Sequence, residues 1–519
     1  MPLLILLFSR PLRWCSAAAI ALLTAACFQI VSTQVQAIKP GSVVLVQTPV
    51  KAHLADGSTV VYEHGVLVRP DSLIGAGFRY NLALTEGTPV AAIPIAAVVG
   101  MESFTRRTNA AGSVALSLLA TAVSVVGLTA LAVAIFGSCP TFYSDSAGVA
   151  RLEAEGFSYS IAPLFEARDV DRLRAMPDSA GIVRLEVRNE AAETHFLNQL
   201  ELLDVEREPD EFVVPDPTGG PLAVAGLRAP LSVSDGVGRN VAPLLAAADG
   251  LLFASDPKLV AVAGSGRLHD TLFVTLPPVA TDSAALVLRL RNSLLTTVLL
   301  YDVMLRPQGA GAIDWLGAGL ADLGSAIDLG RWYQRDMGLH IQVETGGRWR
   351  ETGWVRDVGP IAFEDIGVVV PVTRGVSTKV RLVFPIDGWR IDRLQVGGTM
   401  RHPVARRVPM LAAHGPKGET LEAAIGLLRD PDERYLETGP GQSFTAAFAV
   451  GTGSPDRHTL MLVSQGYYTE WLRPSWLQPQ ANQSPAGPDS TSLAKALGRW
   501  RTVRDSFESR FVATKFPVR

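Results

Sequence analysis

Three short stretches of the chain gather the residue types that do chemistry or hold a ligand. In "NEAAETH", residues 189–195, Glu190, Glu193 and His195 set two carboxylates beside an imidazole. Such a group can move a proton near neutral pH or bind a cation. One loop supplies neither a nucleophile nor an oxyanion site, so hairpin-loop hydrogen bonding and surface charge are the reading adopted. In "GYYTEWLRPSW", residues 466–476, Tyr467, Tyr468, Trp471 and Trp476 offer flat faces that suit the C–H side of a sugar ring. Adjacent strand residues point opposite ways, so Tyr467 and Tyr468 cannot share a face. Tyr468 with Trp471 is the candidate ligand-binding pair, set against core packing and a Glu470–Arg473 surface pair, which explain the stretch without a ligand. The third stretch, "LLTAAC", residues 22–27, ends in Ala-Ala-Cys. Small side chains before a thiol are what attachment of a diacylglycerol requires, and Cys27 is the candidate attachment point. Thr24 stands where such signals usually carry Leu, and a plain signal peptide or an uncleaved anchor remains the alternative.

The common reactive patterns are missing. The eight histidines form no H-x-H or H-E-x-x-H, so no metal ligand set is expected. There is no G-x-S-x-G elbow and no G-x-x-x-x-G-K-[ST] loop. "GAGAIDWLGAGL" lies in a helical pattern without the preceding strand of a dinucleotide site. No cofactor is expected. "GRWRETGWVRD" places Trp349 and Trp354 among arginines, an arrangement that cation–π packing within a sandwich explains. With 47 basic against 50 acidic residues and a net charge of -3, no basic excess exists to displace counterions, so nucleic acid is excluded as a partner.

These residues need elements to hold them. A chain of 519 residues exceeds one core and implies two to four domains. Its mean hydropathy of +0.22 is high, and the excess sits in two segments. Residues 1–27 carry Arg10 and Arg13 before a short apolar run, as secretory signals do. Residues 111–137 hold no charge; at ~1.5 Å per residue they exceed a hydrocarbon core of ~30 Å, so a transmembrane helix is expected, ended by Gly137 and Pro140. Cys139 at its exit reads as a buried or interfacial thiol. An exported residue 27 would place the following body in the cytoplasm, whereas Arg106 and Arg107 favour the opposite sense, so the side is left open.

The rest reads as mainly β. Residues 38–105 alternate short apolar runs with "DG", "HG" and "EGTP" turns, suggesting a small five-stranded barrel or roll. "GIVRLEVRNE", "FLNQLELLDVERE", "TLFVTLP", "AALVLRLRN", "LHIQVET", "GVVVPV", "TKVRLVFP", "WRIDRLQV" and "SFTAAFAV" are strands. They imply two jelly-roll-like β-sandwiches, 140–305 and 339–473. A helix over 306–338 connects them, with Ile313, Leu316, Leu320, Leu323 and Ile327 on one face. A Pro/Ser-rich linker, 474–490, precedes a C-terminal amphipathic helix, 491–512, with Ser490 as N-cap.

"GSCPTFY" (Gly137–Tyr143), "AEGFSYSIAP" (Ala154–Pro163), "NEAAETH", "LLTTVLLYD" (Leu294–Asp302) and "GYYTEWLRPSW" together resemble the motifs of a group of uncharacterised, lipoprotein-like bacterial envelope proteins. The similarity runs over most of residues 38–480. That group has no assigned activity, so the resemblance implies a place, the cell envelope, and no reaction. The expectation is a membrane-anchored envelope protein, held by the lipid bilayer, with a non-enzymatic binding or scaffolding role toward polysaccharide or another envelope protein. The alternatives are a carbohydrate-active or other hydrolytic enzyme with its site on sandwich loops, and a subunit of an envelope export or assembly complex.

Overall fold

A computed structural model describes residues 43–80, 87–103, 139–146, 148–452, 455–472, 476–477 and 487–513. The proposed signal, Cys27, the helix expected at 111–137 and most of the 474–490 linker lie outside the described residues. Among the described residues no helix is long and apolar enough to cross a membrane.

The chain is mainly β, as its alternating patterns require. The N-terminal unit has seven strands, not five: β1 (Val44–Val46), β2 (Val50–Leu54), β3 (Thr59–Tyr62), β4 (Val66–Val68), β5 (Ser72–Tyr80), β6 (Gly87–Pro94) and β7 (Val98–Ser103). They form one antiparallel sheet in the order β1-β4-β5-β3-β2-β7, with β6 on β5. The nine-residue β5 pairs with β4 near its start and with β3 near its end, which folds the sheet over Tyr62, Val60 and Leu73.

The next strands are β8 (Thr141–Ser146), β9 (Val149–Glu155), β10 (Ala167–Arg172), β11 (Ile182–Arg188) and β12 (Glu193–Glu206). They share a nine-stranded sheet with β24 (Ala405–His414), β25 (Leu436–Thr438), β26 (Ser443–Ala449) and β27 (His458–Glu470), in the order β10-β27-β12-β24-β26-β11-β8-β9 with β25 on β12. Between β12 and β24 lie β13 (Glu211–Pro215), β14 (Pro221–Ala225), β15 (Ser232–Ser234), β16 (His269–Leu276), β17 (Ser283–Asn292), β18 (Leu339–Thr345), β19 (Arg348–Val355), β20 (Glu364–Pro371), β21 (Thr378–Pro385), β22 (Trp389–Gly397) and β23 (Thr399–Arg401). These make three further sheets, β13-β14-β23, β20-β17-β22 and β15-β16-β21-β18-β19. The strands therefore do not pair as sequential sandwiches split at 306–338. One β-structure is inserted in the other, and sheets on both sides of that split draw strands from across it.

The sheets stack in layers. Val213, Ala223, Val205 and Val463 fill the space between the nine-stranded sheet and β13-β14-β23. Leu222, Val224, Ala285 and Val287 fill the next, and Leu286, Leu288 and Leu290 face the five-stranded sheet. Strand β17 is thus buried on both sides, which is why "AALVLRLRN" opens as a continuous apolar run.

The connecting segment turns helical at Leu295, earlier than expected, and widens into i→i+5 turns over Val298–Leu305 and again over Trp315–Gly319. It breaks after Leu320. Asp322 then accepts a hydrogen bond from Ser325 N and caps a new helix, α1 (Leu323–Met337). The break resets the phase: Ala326, Leu329 and Trp332 are buried, whereas Leu323 and Ile327, expected on the core face, are 63% and 41% exposed. The C-terminal helix α2 (Ser490–Ala513) buries Leu493, Leu497, Trp500, Phe507 and Phe511 as expected. Its cap is Asp489, whose carboxylate accepts from Ser492 N, one residue before the expected Ser490.

Candidate functional site

Strands β12 and β27 pair along most of their length, and this pairing joins the two motif stretches that stand far apart in the chain. Glu193 lies opposite Glu470, Thr194 opposite Thr469, and His195 opposite Tyr468. Because side chains alternate, Glu193, His195, Tyr468 and Glu470 share one side, and Thr194, Thr469 and Tyr467 the other.

The first side backs a cavity of about 340 Å³. It is roofed by the widened helical turns through Leu299 and Met304, walled by Trp332 and Tyr333 of α1, and floored by Tyr468 and Cys139. Apolar and aromatic residues dominate, with a few polar groups converging. Asp357 is buried, and its carboxylate accepts from Tyr333 Oη (2.5 Å), Gly359 N (2.8 Å) and Ser158 Oγ (3.1 Å). Burial raises the Asp357 carboxyl above the usual carboxylate range, against the pull of those three donors. Tyr468 Oη donates to Ser158 O at 3.0 Å. The Trp332 ring lines the cavity, and its Nε1, closed off from that space, has no hydrogen-bond partner among the described residues. The Cys139 thiol is pushed well up, first by burial and then by Glu155, Glu193, Asp357 and Glu470, so it stays protonated and weakly nucleophilic. Gly359 permits the tight wall: its φ is +87°, and a Cβ there would stand 2.4 Å from the Glu155 carboxyl. Glu155 in turn accepts from Ile361 N (2.7 Å) and Ala362 N (3.2 Å).

The other side of the strand pair holds the N-terminal sheet. Trp471 Nε1 donates to Thr194 Oγ1 at 2.9 Å, and the indole stacks on His53 at 3.7 Å with rings 5° from parallel. Glu102 accepts from Thr469 Oγ1 (2.9 Å), meets His53 Nε2 at 3.0 Å and lies 3.9 Å from Lys51 Nζ. Met101 and Leu472 exchange backbone hydrogen bonds across the junction.

The candidate residues therefore separate. Tyr468 borders the cavity, whereas Trp471, with His53 covering its ring, joins two sheets and is not its partner in a sugar platform. Glu193 and His195 are not on a solvated loop. They lie in β12, 2.8 Å apart and fully buried, on the Tyr468 side. Glu190 stays in the preceding turn and accepts from Tyr143 Oη (2.8 Å) and Thr141 Oγ1 (3.0 Å). The surface-charge account of "NEAAETH" is overturned by this burial: the three residues tie strands together.

A second polar cluster lies alongside. Asp169 and Asp171 on β10 and Glu364 at the start of β20 are all buried, with candidate ligand oxygens within 4.8 Å of one another. Arg356 meets Asp169 Oδ1 at 2.8 Å and lies over the Tyr159 ring. Phe157 N donates to Asp169 Oδ2 at 2.9 Å and holds a left-handed backbone, φ +39°, an uncommon conformation for an aromatic residue. Burial, and then the neighbouring carboxylates, raise Asp171 and Glu364 well above the usual range. Sequence reading missed this group and Asp357. "DVD" in a strand has the pattern of a solvated face, and Glu364 lies in a distant part of the chain.

No family model matches the chain, and no curated protein does. Among solved structures, the C-terminal CBM6 of a marine laminarinase from Zobellia galactanivorans is 10% identical, with 38% of this chain and 98% of that one covered and a TM-score of 0.14. A GH31 alpha-xylosidase from Xanthomonas citri is 9% identical, covering 82% of this chain and 38% of that one, at a TM-score of 0.17. An exo-beta-1,3-galactanase from Phanerochaete chrysosporium is 7% identical, covering 68% and 82%, at 0.18. Similarities this low assign no activity to the chain.

Proposed function

We propose that the chain is a membrane-anchored bacterial envelope protein with a non-enzymatic binding role, and that the cavity floored by Tyr468 takes a one- or two-ring saccharide unit of an envelope polysaccharide. The observation that carries this reading is a cavity lined by the rings of Tyr159, Trp332, Tyr333, Trp354 and Tyr468 that also presents Asp357 and Gln334. Aromatic planes suit the C–H faces of a sugar ring, and a carboxylate and an amide suit its hydroxyls. A volume of about 340 Å³ is at the small end for ligand sites, which favours a short unit over an extended chain. Anchoring rests on the charge-free run 111–137 and on Cys27.

The test is calorimetric titration of the full-length chain in detergent with soluble oligosaccharides from the envelope. Binding is expected, and Trp354→Ala, which removes one aromatic plane from the lining, should weaken it about tenfold. Equal affinity of wild type and variant would remove the cavity from the account. Glu155 and Asp357 both border the cavity, and this specific observation supports a hydrolytic second reading. Release of new reducing ends, abolished by Asp357→Asn, would put catalysis in place of binding. Sedimentation of the chain without detergent tests the anchor: a monodisperse supernatant species would overturn it.

A further inference from the structure

We propose that Asp169, Asp171 and Glu364 bind a hard divalent cation, Ca²⁺ being the best fit, which clamps the inserted sheets onto the nine-stranded sheet. The cluster has one carboxylate oxygen per residue available within 4.8 Å of the others, the spacing of a shared oxygen-ligated ion. Its side chains are shut off from solvent: Asp169 and Asp171 are 3% exposed and Glu364 6%. The Asp171 and Glu364 carboxyls lie within hydrogen-bonding reach of each other, and their buried oxygens Asp171 Oδ2 and Glu364 Oε1 accept from no N–H or hydroxyl donor among the described residues. A buried acceptor left unsatisfied is costly, more so for a charged group, so a cation that completes both is favoured. No nitrogen or sulfur ligand is in the set, which selects oxygen-seeking ions over zinc or copper.

The neighbouring residue shows what this interface does with a carboxylate when the chain supplies its own cations. Asp365 is met by Arg393 at 2.8 Å, Arg289 at 3.1 Å and Arg172 at 3.8 Å. Asp169, Asp171 and Glu364 have Arg356, which pairs with Asp169; neither Asp171 nor Glu364 makes an ion pair among the described residues. Glu155 adds further negative potential at both. Three carboxylates against one guanidinium leave the place for a double positive charge. Strand β10 belongs to the nine-stranded sheet and β20 to the insertion, so the ion would bridge the two β-structures directly.

The competing state is a single proton shared between Asp171 and Glu364, and the experiment separates the two. The full-length chain is stripped with a chelator and its melting temperature followed as CaCl₂ is added to about 1 mM, the weak limit of calcium sites. Binding of one ion per chain by elemental analysis and a rise of a few degrees are expected. Asp171→Asn and Glu364→Gln should abolish both. Hydrogen exchange on the wild type locates the effect without any variant: added Ca²⁺ should slow exchange in residues 167–172 and 364–371. Failure to retain calcium, a thermal shift that survives in both variants, or protection confined to other segments would each overturn the proposal. Mg²⁺ serves as control and should shift the melting temperature less, because it sheds its water reluctantly.

Discussion

Glu102 shows how one side chain can hold a junction. It is only 3% exposed, and burial alone would raise its carboxyl. Lys51, and then His53, outweigh that effect and hold it at about 2. The folded chain therefore binds this proton more weakly than the unfolded chain does. The stabilisation is complete above the ordinary carboxylate range near 4.5 and is lost as the pH falls toward about 2. A depression of this size corresponds to about 3 kcal/mol. Exchange protection of Val98–Ser103 should thus decline progressively below pH 4.5. Glu102→Gln should start lower at neutral pH and lose the slope; an unchanged slope would show that another group governs the junction. The same junction explains Trp471: an exposed tryptophan suits a sugar, but one stacked on His53 seals two sheets.

At the scale of elements, the break after Leu320 makes a sharp forecast. Leu323→Lys and Ile327→Lys alter exposed positions of α1 and should change stability by no more than about 0.5 kcal/mol. Trp500→Ala on α2 empties a fully buried site and removes the 2.8 Å bond from Trp500 Nε1 to Asp387 Oδ2, so a loss of about 3–5 kcal/mol is expected. Chemical denaturation measures both, and equal effects would contradict the register. This pair also marks what the sequence could reveal. The α2 face was legible because Leu493, Leu497, Trp500 and Phe507 keep one period without interruption. The α1 face was not, because an N-cap at Asp322 restarts the helix inside an apolar pattern that runs through it. Strand positions such as those in β11 and β21 followed from alternation, and that of β17 from its continuous apolar run. Their partners did not, since pairing between β12 and β27 depends on contacts far apart in the chain. For the same reason neither "NEAAETH" nor "GYYTEWLRPSW" announced the cavity they jointly back, and the acidic cluster was split between strands of different sheets.

For the whole molecule, the insertion governs which parts can stand alone. Strands β13 to β23 find every partner among themselves, whereas β12 needs β24 and β27, and β10 needs β27. A chain ended after residue 402 also loses α2 and the Trp500–Asp387 bond, so the inserted sheets should resist brief proteolysis less than in the full chain but longer than residues 139–206. Mass spectrometry of the surviving fragments reads the result, and protection of both regions would mean that the large sheet forms without its later strands. The strand order has a consequence for manufacture as well. Until β27 emerges, β10 and β12 present open edges able to pair with a neighbouring nascent copy. A cell making this protein must therefore keep its half-built chains apart, and the yield of native molecules will depend on how closely the ribosomes making it are spaced.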